Sequence, residues 1–268
     1  GTIGPLILGA LILSGAEETK REIGAAVGVA KTQLLDTLAL GVINPYIVMA
    51  IILALLAVMI RFSGLPQIDT DQDEPNAGVE ARTKKAWYQF PHLILGFIAL
   101  FFYVGVEVMA GDTIGLYGTY MGISLDYSKY FTSLTLISMV IGYIVGIIVI
   151  PTYIKQHTAL SISAGLGILF TLLALFTHGF ISVAFIALLG FANAMVWPSI
   201  WPLAISGLGK FTKAGSALLV MGIAGGAIIP LFYGWLVDII GNQQAYWIMI
   251  PLYVFILFYG MKGHKIKN

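Results

Sequence analysis

Residues 193–215 read NAMVWPSIWPLAISGLGKFTKAG, with two Trp-Pro pairs four residues apart inside an otherwise apolar run. Proline has no backbone N–H, and its ring crowds the carbonyl four residues back. Pro198 therefore frees the carbonyl of Ala194, and Pro202 frees that of Pro198. In lipid an unpaired carbonyl is costly unless protein or water satisfies it. The stretch is expected to bend, with Pro198 and Pro202 as bending points and the broken part turned toward other helices or a wet cavity. Asn193, Trp197 and Trp201 fall at i, i+4 and i+8, one stripe of a helix. At 1.5 Å per residue, Trp197 lies ~6 Å and Trp201 ~12 Å beyond Asn193. An amide beside an indole suits a sugar, because the amide takes hydroxyls while the ring packs on the C–H face. Asn193 and Trp197 are thus candidate substrate contacts. The same residues also fit plainer roles: Asn193 as a bridge between two helices, Trp201 as an interfacial anchor or gate.

The medium around this helix follows from composition. The chain is 59% hydrophobic and 10% charged, with mean hydropathy +0.92, against roughly 45–50% and about 25% in soluble domains. Lipid must be the solvent. The net charge of +1 comes with no basic face, which argues against nucleic acid. The chain has no cysteine, which excludes disulfides, thiol catalysis and cysteine-based metal sites. His92, His157, His178 and His264 are scattered and lack metal-ligand partners at helical spacing. No Ser-His-Asp set falls in one membrane layer, and SGLGKFTKAG lacks the phosphate-loop order. An enzyme is therefore disfavoured, and neither metal nor cofactor is expected.

An all-α integral membrane bundle is predicted. Full spans are expected at about 43–61, 90–112, 130–151, 159–177, 179–206, 215–240 and 244–261, with a partial span at 1–13. GTIGPLILGALIL opens without Met or a basic leader region, so the chain reads as a fragment lacking its N-terminal part. Residues 14–42 read as a charged connection, and 62–89 as a long loop beginning SGLPQIDTDQDEPNAG and ending EARTKKAWYQF. The division is 1–61 as the last helices of an N-terminal bundle, 62–89 as a linker and 90–268 as a six-helix bundle with its tail. Ten Lys and Arg fall on the side holding Arg82, Lys155, Lys210 and Lys265, and four on the other. The positive-inside rule then places the linker and the C-terminal tail in the cytoplasm.

Other intramembrane features add to the site. Glu107 stands roughly 24 Å along the helix from Pro91, and a carboxylate at that depth is a functional candidate. It would accept sugar hydroxyls or take up a proton, or else serve as a structural partner for another helix. Tyr103, one turn earlier, shares its face. Gly222, Gly226, Pro230 and Gly234 recur every fourth residue and predict a packing or rocking surface rather than chemistry. Gly142 and Gly146 make the same statement one helix pair earlier.

GTIGPLILG at the start resembles the glycine–proline pattern of the fifth helix in the major facilitator superfamily, and YVGVEV at 103–108 with NAMVWPSIWPLAISGLGKFTKAGSALLVMGIAGGAIIP at 193–230 resembles that superfamily's fucose–galactose–glucose symporter family, in its glucose/galactose branch. The resemblance covers essentially the whole chain. It implies a major-facilitator-type helical bundle, here the C-terminal six-helix half plus the partial fifth and the sixth helix of the N-terminal half. It implies alternating access around a central sugar cavity, in an inner membrane, with the C-terminus cytoplasmic and a monomer as the default. It implies import of glucose or galactose coupled to H+ or to Na+. An L-fucose:proton symporter, a non-transporting sugar sensor and a drug exporter are the alternatives. Glu107 matches the acidic position of the family's seventh-helix motif, and Asn193 and Trp197 match its tenth-helix segment. The family's main coupling carboxylates lie in the absent half and are not carried over.

Overall fold

The computed structural model describes residues 5–6, 16–63, 86–150 and 152–266. The partial span expected at 1–13 and the acidic stretch of the linker lie outside them, apart from residues 5–6. Ten helices organise the described chain: α1 Ala16–Ala25, α2 Val29–Phe62, α3 Pro91–Asp112, α4 Phe131–Val149, α5 Gln156–Phe176, α6 Gly179–Asn193, α7 Val196–Ile205, α8 Thr212–Met221, α9 Gly225–Ile240 and α10 Met249–Met261. Short helical turns at 114–120, 125–128 and 242–245 join them. Seven continuous helical runs among the described residues are long and apolar enough to cross a membrane. The protein is a multi-pass membrane protein.

One boundary differs from expectation. The connection read over 14–42 is largely helical, and α2 starts at Val29 rather than near 43. The stretch VAKTQLLDTLALGV carries Lys31 and Asp36, but its leucines and alanines are strong helix formers. The apolar span continues backward as helix past the point where hydropathy falls. At 34 residues, α2 extends ~51 Å, well beyond the ~30 Å hydrocarbon layer.

The bundle of α3 to α10 is built inside out relative to a soluble domain. On α4 the buried positions include Ser133, Thr135, Ser138, Gly142 and Gly146, whereas Ile137, Ile141, Ile144 and Ile148 are exposed. On α5 the buried stripe runs Ala159, Ser163, Ala164, Gly167, Thr171 and Ala174. Lipid tails are as apolar as leucine, so helices associate through close packing of small residues and interhelical hydrogen bonds. The α6 helix packs against α4 and α5, α10 against α5, and α3 stands among α9, α7, α10 and α6.

At the end away from α7, a polar network ties these helices together. The Tyr117 hydroxyl meets Ser182 Oγ at 2.6 Å, and Ser182 donates to the Ala174 carbonyl. Gln243 Nε2 donates to the carbonyls of Ala174, Leu175 and Thr177 at 2.9, 3.2 and 2.7 Å. These are orphan acceptors at the C-terminus of α5, satisfied by a side chain 66 to 69 residues away.

Candidate functional site

The Trp-Pro stretch is interrupted, and the interruption precedes both prolines. The helix breaks into a turn at Ala194–Met195, and Met195 adopts φ −92°, ψ −1°. Pro198 then falls in the first turn of α7, where a backbone N–H has no helical acceptor to lose. Pro202 sits inside α7. Two glycines of α4 make room for the turn. A Cβ at Gly142 would come within 2.6 Å of Ala194 Cβ and 2.8 Å of the Phe191 carbonyl oxygen, and one at Gly146 would collide with the Met195 side chain.

This turn falls within the predicted stripe, between Asn193 and Trp197. Trp197 and Trp201 share α7, and their rings stack at 5.8 Å with an interplanar angle of 17°. The Tyr103 ring meets Trp197 edge-on at 6.3 Å, and the Tyr103 hydroxyl is the hydrogen-bond partner of the Glu107 carboxyl. Asn193 belongs to the other side of the break. Its Oδ1 accepts from the Tyr253 hydroxyl of α10 at 2.9 Å, both residues are wholly buried, and its Nδ2 has no partner among the described residues. As placed, Asn193 bridges α6 to α10 and reaches no open surface. Tyr103 is also buried. Glu107, Trp197 and Trp201 are half-buried.

Two tyrosines not expected from the sequence complete the cluster. Tyr143 of α4, half-buried, and Tyr253 of α10 both lie within electrostatic reach of Glu107. Tyrosine is at home in the interfacial belts, so a tyrosine well inside a span such as IMIPLYVFILFYG was the signal available for Tyr253. The site therefore has two layers. A carboxylate, a phenol and two stacked indoles are half-buried. Tyr103, Asn193 and Tyr253 lie beneath and hold them. Stacked indoles offer a flat apolar platform, and the carboxylate with Tyr143 offers acceptors and a donor for hydroxyl groups.

The remaining candidates are spread out. Gly222 and Gly226 face α3, with a Cβ at Gly226 reaching 3.0 Å from Val104 and Val108; at Gly234 it would meet nothing within 4 Å. The closest approach is at Gly225, outside the predicted stripe, where a Cβ would overlap the Phe101 carbonyl. Pro230, inside α9, is half-buried, and its neighbour Ile229 packs into the space above Gly105. Asp112 and Asp238 are exposed, and Asp126 pairs with Lys129 at 3.6 Å. Among the described residues no group of three His, Cys, Asp or Glu could hold a metal.

Comparison with solved structures decides the architecture. The chain superposes on a crystal structure of the Escherichia coli fucose:proton symporter with a TM-score of 0.67 at 21% identity, over 93% of this chain and 64% of that one. On a major facilitator superfamily transporter in the outward conformation it gives 0.66 at 23% identity, over 90% and 59%. The chain has the major facilitator fold.

Among curated proteins, this chain is 34% identical over 224 residues to a glucose/galactose transporter of Brucella abortus, covering 82% of the chain and 53% of that protein. It is 27% identical over 272 residues to a putative glucose/galactose transporter of Helicobacter pylori, covering 98% and 63%. An L-fucose-proton symporter of Escherichia coli is 25% identical over 209 residues, with 77% and 48% covered. The resemblance read from residues 103–108 and 193–230 is thus borne out by relatives named for the same sugars. The chain spans between about half and two thirds of the length of these relatives. No family model matches it.

Proposed function

We propose that the complete protein imports a monosaccharide, glucose or galactose, by ion-coupled symport with alternating access, and that this chain supplies the C-terminal wall of its sugar site. The observation that carries the proposal is the linkage through Tyr103, whose ring meets Trp197 of the stacked Trp197–Trp201 pair and whose hydroxyl partners the half-buried Glu107 carboxyl. A pyranose needs both an apolar platform for its C–H face and charged or phenolic partners for its hydroxyls, and this cluster offers both. The Brucella relative, more similar to this chain than the fucose symporter is, favours glucose or galactose over fucose. In this reading Glu107 and Tyr143 take hydroxyls, Trp197 carries the ring, and Trp201 closes the cytoplasmic side of the platform. Asn193 and Tyr253 fix the break that presents Trp197. The coupling ion is H+, by likeness to the proton symporters. The protein lies in the inner membrane with its C-terminus in the cytoplasm, in keeping with the lysine and arginine distribution.

The test uses the complete carrier in proteoliposomes with an imposed inward proton gradient. Labelled D-glucose should enter, galactose should compete and L-fucose should not. Trp197→Ala and Glu107→Gln should each lower uptake at least ~10-fold with unchanged protein incorporation, the loss of one stacking or one charged hydrogen-bond contact of ~1.5 kcal/mol or more. Normal uptake in both variants would remove the site, and gradient-driven entry of fucose alone would move the protein to the fucose carriers.

A further inference from the structure

A cavity lies against Met195 of the Ala194–Met195 break. It has a volume of about 280 Å³ and opens between α4 and α5. Its walls include Val145 and Val149 of α4, Ile162 and Leu166 of α5, and Ile154 in the loop between them, with Met195 of the break at its floor. Ser163 alone among the lining side chains is polar. Ile162 is 49% exposed and Val145 41% exposed, so the groove opens outward on a surface already rich in exposed isoleucine.

The groove is apolar along its length and charged at one end. Lys155 follows Ile154 directly, is exposed, and stands one turn below Ala159, another lining residue. Lys265 and His264 lie within reach of the same end of α5, where the His264 and His157 rings stack at 5.2 Å. Among the described residues no carboxylate pairs with Lys155 or Lys265 in a salt bridge. A water-filled groove with these walls would be unfavourable, and a sugar would find a single hydroxyl to bond.

We propose that this groove binds one anionic phospholipid, with an acyl chain lying between α4 and α5 against Met195 and the phosphate headgroup at Lys155. Charge complementarity chooses the occupant: the apolar part matches an acyl chain, and the lysine end matches an anionic headgroup on the side the basic residues assign to the cytoplasm. The occupant touches Met195, in the turn that leads into Trp197. Lipid in the groove therefore supports the break.

The test uses the complete carrier, delipidated in mild detergent and titrated with phosphatidylglycerol or phosphatidylcholine of identical acyl chains. Native mass spectrometry counts bound lipid, a readout that needs neither sugar nor transport. Wild type should retain one phosphatidylglycerol with about five-fold preference over phosphatidylcholine, the factor for one lysine near an anionic headgroup. Lys155→Glu should abolish that preference. Ile162→Trp and, independently, Leu166→Trp place an indole in the groove and should lose the tightly held lipid. If one filling variant does not fold, the other decides. Retention of lipid by a folded filling variant, equal retention of the two headgroups by wild type, or no retained lipid would each overturn the assignment. The last result is also the one expected if an earlier part of the chain covers the groove.

Discussion

Tyr253→Phe removes one oxygen and nothing else, and it isolates the bridging role of Asn193. The Asn193 side chain has one hydrogen bond, accepted from Tyr253 at 2.9 Å, and neither residue is accessible to solvent. Stripping the partner from a buried polar group costs about 1–3 kcal/mol in soluble proteins. Interhelical hydrogen bonds in membranes average ~0.6 and reach ~1.7 kcal/mol, because the unfolded helices find other partners. Burial of both groups and the unpartnered Nδ2 put this pair in the upper part of the membrane range. Tyr253→Phe should cost about 1–1.5 kcal/mol. Asn193→Leu leaves the tyrosine hydroxyl stranded instead and should cost a similar amount. The double variant removes both polar ends and should cost little more than either single change, giving a coupling of about 1 kcal/mol. Unfolding of the complete carrier in mixed micelles measures all four corners of the cycle. Sugar affinity should fall less in Tyr253→Phe than in Trp197→Ala, since Tyr253 acts through Asn193 and the break. Additive effects within ~0.3 kcal/mol would refute the bridge. So would loss of sugar binding in Tyr253→Phe as severe as in Trp197→Ala.

Two further outcomes follow from local geometry. Gly225→Ala drives a Cβ into the Phe101 backbone carbonyl, which cannot swing away like a side chain, whereas Gly234→Ala meets nothing within 4 Å. The first should destabilise by roughly 1–3 kcal/mol through overpacking, and the second should stabilise by up to ~1 kcal/mol through helix propensity. Thermal midpoints of the two variants should move in opposite directions, and a shared direction would overturn the packing assignment. Gln243→Leu strips the donor from the Leu175 and Thr177 carbonyls at the end of α5, while Ala174 keeps Ser182. A loss of about 1–3 kcal/mol should appear in the same assay, and a neutral result would mean that those carbonyls find water.

Legibility in the sequence tracked locality. Apolar runs announced the spans of the bundle because a membrane imposes a length on them. Residues 29–42 were misassigned because α2 continues as helix beyond the apolar core, where hydropathy no longer reports helix. Trp197 with Trp201, and Tyr103 with Glu107, were legible because each pair lies four residues apart on one continuous helix. Asn193 and Trp197 have the same four-residue spacing, but a turn at 194–195 lies between them, and the bond of Asn193 to Tyr253 of α10 was not legible from one helix. Proline chemistry pointed to this place, since Pro198 was expected to free the Ala194 carbonyl and the turn lies at Ala194–Met195, with Pro198 itself in the first turn of α7. Tyr143 and Tyr253 reach the site from α4 and α10, and no spacing within one helix reports a meeting between separate spans.

The location of the site follows from how the bundle disposes of its polar groups. Ser182, Thr171 and Thr135 are buried and bonded to backbone carbonyls, and Gln243 caps α5. These groups satisfy the demand that lipid places on every backbone acceptor. Glu107 is different: its hydrogen bond is to Tyr103 of its own helix, yet it stays half-exposed and a second phenol, Tyr143, approaches from α4. A carboxylate kept for cohesion would be enclosed and fully bonded, because a charge left at the edge of an apolar bundle is costly. Under the proposed function, a sugar hydroxyl completes its coordination. The break at Ala194–Met195 leads into Trp197. Irregular backbone at membrane depth survives where it lines a cavity or is packed in protein, and in this bundle glycines of α4 pack directly against the turn.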